Sequence, residues 1–110
     1  MENKEYTLHL ISHTHWDREW YQTFQQFRLR LVHLIDHVLT LIGSDPEFKF
    51  FMLDGQTIVL EDYLDIRSEK GPELKALIQS GTILIGPWYI LPDDVLVSPE
   101  ATIRNQLLGA

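Results

Sequence analysis

A chain of 110 residues with a formal net charge of −7 holds one modest domain, since at that size only about two-thirds of the unfolded surface can be buried. Its 45% apolar and 23% charged residues exclude a disordered chain, and its acidity excludes a nucleic-acid partner, which needs a basic stripe to meet the phosphates. No apolar window reaches the about eighteen residues of a membrane span, and without cysteine there is no disulfide or thiolate chemistry, so a cytoplasmic protein is expected.

The N-terminus, "MENKEYTLHLI", has mixed charge and too short an apolar run for a signal peptide. Within it, Tyr6 to Ser12 reads as a buried strand, with His9 a satisfied interior histidine. From Trp20 the period changes. Trp20, Phe24, Phe27, Leu31, Ile35, Val38 and Ile42 recur at steps of three and four, one stripe of a long amphipathic helix ending at a Gly43 cap. His33 and His37 fall opposite that stripe, on a solvated face.

"FKFFML" is a second strand, ending at Asp54-Gly55. A helix follows with Val59, Leu60, Tyr63 and Leu64 inward and Glu61, Asp62, Asp65 and Glu69 outward. Gly71-Pro72 opens "PELKALIQS", with Gly81 past its end. "TILIG" is a nearly all-apolar strand, the pattern of one covered on both faces, and Ser98 caps a last helix. The alternation predicts an α/β fold, a parallel sheet with helical crossovers. Three parallel strands leave unpaired edges, so residues 1–110 are expected to be the N-terminal portion of a larger catalytic domain.

In a parallel sheet, catalytic groups collect beyond the carboxyl ends of the strands. The first strand runs out into His13, His15 and Asp17, the second into Asp54, and the third into Trp88, Tyr89, Asp93 and Asp94. His15 and Asp17, spaced i, i+2, point the same way in extended backbone, a half-site for zinc with its N and O ligands at about 2.0–2.2 Å. Asp93 is a candidate third ligand, Asp94 an equal candidate for the reactive acid, and Asp54 a candidate substrate contact. Trp20, adjacent to this rim, offers an aromatic face to the apolar side of a sugar. The plain alternative is that these groups only cap helices and satisfy buried partners.

Together, "HTHWDREW" and "GPWYILPDDVLVSPEA" resemble glycoside hydrolase family 38, the zinc-dependent retaining α-mannosidases. The resemblance covers nearly the whole chain. "LDGQT" between them, and Arg18-Glu19 where many members carry proline and glycine, resemble the bacterial branch, which includes enzymes acting on mannosylglycerate and its phosphorylated form. The resemblance implies an α/β-barrel-like glycosidase domain of which this chain is the N-terminal part, its partners being a mannoside substrate and the remainder of that domain.

It further implies that His15 and Asp17 bind Zn2+, that Trp20 stacks on the sugar, and that Asp93 is the nucleophile and also touches the metal. Asp93 is preferred to Asp94 because the family's aspartate stands five residues before a serine, here Ser98. The remaining zinc-binding histidine and the general acid lie farther along the family's chains, and neither is assigned here. His13 is expected behind His15, holding it in one tautomer.

Two other readings compete. A metal-dependent amidohydrolase or phosphoesterase also opens with His-x-His after its first strand, in which case His13 and His15 both bind metal and activate water. A non-catalytic α/β interaction domain needs no metal at all.

Overall fold

The structure is a computed structural model that describes residues 4–110. Its elements run β1 (His13–Thr14), α1 (Phe24–Ser44), β2 (Phe51–Leu53), α2 (Ile58–Leu64), a 3-10 turn (Ser68–Lys70), α3 (Gly71–Gln79), β3 (Ile83–Leu84) and α4 (Pro99–Gly109). This is the expected order, with the 3-10 turn added. The three strands form one sheet in the order β1-β2-β3, parallel throughout, with His13 beside Met52 and Phe51 beside Ile83.

Three of the four α-helices, α1, α3 and α4, start where the local sequence provides for the free N–H groups. Thr23 and Gln26 form a reciprocal capping box at α1, Pro72 occupies the first turn of α3, and Ser98 Oγ accepts from Ala101 N at 3.2 Å at α4. The capping box corrects the expected start at Trp20: residues Arg18–Gln22 form a bend, and Trp20 stands 74% exposed. Gly43 lies inside α1 rather than capping it, because the last turn closes through Asp45 N to Leu41 O.

The first strand is much shorter than the apolar run predicts. Tyr6 to Ile11 is exposed and outside any strand, and so is His9. The register explains this. With His13 opposite Met52, Ile11 falls opposite Phe50, where β2 has not begun, so the run has no backbone partner among the described residues.

Phe27, Leu31, Ile35 and Val38 of α1 are buried as the stripe predicts, and Val32 and Leu39 join them. All of these but Phe27 pack with Phe51 and Leu53 of β2, Val59 and Tyr63 of α2, Leu74 of α3 and Ile83 of β3, while Phe27 meets Trp16 and Tyr21 edge-on. Each aliphatic side chain fully buried here contributes about 1.5–3 kcal/mol. His33 and His37 lie on the exposed face, as expected. Between α1 and α2, Tyr63 Oη donates to Asp36 Oδ1 at 2.7 Å and Arg67 holds the other oxygen at 3.2 Å. Burial, reinforced by that hydrogen bond, pushes the Tyr63 phenol well above its ordinary value.

β3 departs from its pattern: Ile83 is buried but Leu84 is 42% exposed. The core lies on one face of the sheet only, and among the described residues no element covers Leu84 on the other. None of the described helices is long and apolar enough to cross a membrane.

Candidate active site at the carboxyl edge of the sheet

All three strands leave the sheet at one edge, and the loops beyond it are tied together. Asp54 follows β2 in left-handed backbone (φ 42°), a conformation that aspartate tolerates better than most residues. Gly55 continues it at φ 67°, and a Cβ there would meet Gly86 O at 3.3 Å, so glycine lets the turn after β2 approach the chain leaving β3. Trp88 N donates to Gly55 O, and Thr57 N and Ile58 N donate to Trp88 O and Tyr89 O.

Asp54 braces the β1 loop. Its Oδ2 accepts from Trp16 N at 2.6 Å, and its Oδ1 lies 3.3 Å from His15 Nδ1. A carboxylate only accepts, so this contact places a proton on Nδ1, and in the neutral ring Nε2 then keeps its lone pair. Nε2 in turn faces Asp17 Oδ1 at 3.6 Å. Two electron-donating atoms facing each other call for a cation between them, whether a proton or a metal. Ligands at about 2.0–2.2 Å around a tetrahedral zinc stand roughly 3.4 Å apart, so the pair fits two corners of such a site.

Among the described residues no three His, Cys, Asp or Glu side chains gather so as to hold a metal ion, and Asp93 does not complete the pair. His15 and Asp17 line a cleft of about 390 Å³ together with Arg18, Gln56, Ile90 and Leu91. Asp93 lies on the adjoining depression, and Ile90 and Leu91 form the wall between the two. Asp94 lies on a third depression, which shares no residue with the cleft. Trp20 does not line the cleft.

His13 is outside the cleft as well, its Nδ1 3.3 Å from Thr14 O. The support expected from it comes instead from Asp54, whose left-handed backbone swings the carboxylate under the imidazole. Asp54 is correspondingly occupied by the protein, its side chain only 10% exposed.

Two further residues matter that sequence reasoning assigned elsewhere or passed over. Asp62, expected on the outer face of α2, is 4% exposed and grips Arg18 through Nε (2.7 Å) and Nη2 (2.9 Å). Those bonds hold the Arg18 guanidinium above its ordinary pKa against the opposing effect of burial. Arg18 also stacks on Phe24, 4.7 Å from the ring centroid. The available signal was spacing: Asp62 is three residues after buried Val59, within reach of the covered stripe. The other is Gln56, 1% exposed, whose partners are mostly backbone atoms that no sequence pattern marks. Nearby, Tyr89 Oη donates to Glu61 Oε2 at 3.0 Å, which raises the phenol's pKa.

A model of the glycosyl hydrolases family 38 N-terminal domain matches residues 5–110. The chain is 55% identical over 103 residues to a putative mannosylglycerate hydrolase of Halalkalibacterium halodurans, covering 94% of this chain and 12% of that protein. It is 26% identical over 102 residues to alpha-mannosidase 2 of Drosophila melanogaster, covering 90% of this chain and 9% of that one. An alpha-mannosidase from Enterococcus faecalis V583 matches with a TM-score of 0.87 at 54% identity, over 90% of this chain and 11% of that structure. The chain spans about a tenth of the length of the curated relatives it matches.

Proposed function

The chain belongs to glycoside hydrolase family 38, and on that premise we propose that the protein hydrolyses terminal α-mannosidic bonds with zinc assistance and retention of configuration. The observation that carries the reading is the facing pair of His15 Nε2 and Asp17 Oδ1 at the carboxyl edge of the sheet, with Asp54 fixing the tautomer. His15 and Asp17 are the residues that hold the metal; once bound, zinc supplies a Lewis-acidic centre for sugar hydroxyls.

This chain's residues then divide the work. Asp54 keeps the His15 lone pair directed at the cleft, and Trp20, exposed beside the cleft-lining Glu19 though not itself in the lining, is the residue for stacking on the sugar ring. Asp93, across the Ile90–Leu91 wall, is the nucleophile: its carboxylate bonds to the anomeric carbon as the glycosidic C–O bond breaks, and water later releases the sugar with a second inversion. The departing oxygen needs a proton from an acid about 5–5.5 Å from the nucleophile. No residue of this chain is assigned as that acid, and residues 5–110 correspond to the family's N-terminal domain.

The relative that is 55% identical over 103 residues, a putative mannosylglycerate hydrolase, supports a mannoside with an anionic glycerate aglycone as the substrate class. Proton NMR of the full-length protein acting on mannosylglycerate tests the reading. Release of α-mannose as the first anomer supports it, β-mannose contradicts retention, and no release from any α-mannoside contradicts the activity.

A further inference from the structure

The loop bearing His15 and Asp17 and the loop leading to Asp93 come from strands at opposite edges of the sheet. Among the described residues, one side chain hydrogen-bonds both. Gln56 Nε2 donates to Trp16 O at 2.7 Å and to Asp54 Oδ2 at 3.0 Å, while Gln56 Oε1 accepts from Leu91 N at 3.1 Å. Trp16 lies between His15 and Asp17, and Leu91 lies two residues before Asp93.

The amide is the group this position requires. It needs a donor pair on one side and an acceptor on the other, within a side chain sealed from water. A carboxylate would face Trp16 O and the Asp54 carboxylate with no proton to give. An apolar residue would leave Leu91 N and Trp16 O without their partner, at a cost of about 1–3 kcal/mol for each group that stays buried. On the far side of the same wall, Asn105 clips Ile90 through both its backbone groups (2.9 and 2.6 Å), so Ile90–Leu91 is held from two directions.

We propose that Gln56 is a positioning residue that sets the separation between the His15–Asp17 loop and the Asp93 loop, and so the alignment of the nucleophile with the bound sugar. The inference rests on the glycosidase reading for its consequence, but not for its geometry. Misplacing a reacting group by about 1 Å costs on the order of a hundredfold in rate. Gln56→Met keeps the volume and removes the three hydrogen bonds without substituting His15, Asp17 or Asp54.

The test is steady-state kinetics of full-length wild type and Gln56→Met on an aryl α-mannoside, with zinc content and amide exchange of the Trp16 and Leu91 segments followed in parallel. The expected result is a kcat about 10- to 100-fold lower, KM changed less than about threefold, zinc content unchanged and faster exchange at Leu91. A wild-type kcat per folded molecule, or a fall in activity matched by loss of folded protein, overturns the proposal. If wild type itself cleaves no α-mannoside, the glycosidase reading fails in that control. Exchange alone then decides Gln56: faster exchange at Leu91 in the variant supports it as the spacer between the loops, and unchanged exchange overturns it.

Discussion

The carboxylate of Asp54 stands 3.3 Å from His15 Nδ1, 39 residues away in sequence, and with its other oxygen accepts from the backbone of the next residue, Trp16. One acidic side chain thus fixes both the rotation and the tautomer of the imidazole that faces Asp17.

Removing that support is expected to weaken metal binding without abolishing it. Outer-shell carboxylates behind a ligating histidine are typically worth about 10- to 100-fold in affinity. Asp54→Asn in the full-length protein should lose zinc to a chromogenic chelator over that range, and wild-type affinity would show that Asp54 is not the histidine's brace.

Asp62 and Arg18 pin the same loop from α2. Asp62 is almost fully buried but the Arg18 side chain is 38% exposed, so water tempers the loss when one partner is removed. Asp62→Ala is expected to cost about 1–3 kcal/mol and to accelerate amide exchange across residues 16–20. Arg18→Met combined with Asp62→Leu should recover most of the stability, because an apolar pair leaves no charge unpaired. A double variant as unstable as Asp62→Ala would contradict this.

Gly109, in the last turn of α4, sits against the chain leaving β3. A Cβ there would collide with Trp88 C and Tyr89 N, atoms of a backbone that cannot rotate away. Gly109→Ala is therefore expected to push α4 outward, loosen the Asn105 clip on Ile90, and cost about 1–3 kcal/mol. Amide exchange at Ile90 should rise. Unchanged exchange there would mean that α4 is not held by this contact.

The raised phenol of Tyr63 has a sign that can be checked. A folded-state pKa above the unfolded value favours the protonated form, so its contribution to stability is complete below about pH 10 and lost as pH rises through the folded value. Tyr89 contributes in the same direction through Glu61. In a tyrosinate difference titration between wild type and Tyr63→Phe, the Tyr63 signal should develop only well above pH 10. A midpoint at or below the ordinary tyrosine value would contradict the burial argument.

What the sequence makes legible follows from which physical rules are local. The α1 stripe, the Pro72 and Ser98 helix starts and the parallel order all rest on short-range spacing, and each is found. Tyr6–Ser12 misleads because hydrophobicity marks what must be covered but not what covers it, and the sheet register gives only Ser12 of that run a backbone partner, Met52, among the described residues. The shared rim of His15, Asp17 and Asp54 is foreseeable from strand direction alone. Gln56 and Asp62 are not, because their value lies in contacts 35 to 44 residues away in sequence, formed only after the loops meet. His13 shows the same limit: i, i+2 spacing places it beside His15, yet the left-handed turn at Asp54 decides which neighbour supports the ring.

The central claim is that His15 and Asp17 are two corners of a zinc site on which mannoside cleavage depends. Metal analysis of the purified full-length protein, His15→Ala and Asp17→Ala, with aryl α-mannoside turnover on the same samples, tests it most directly. The account predicts one zinc per wild-type chain, loss of zinc in both variants, and turnover falling in step. Undiminished turnover in a chelated, zinc-free wild type, or full zinc in both variants, would contradict it.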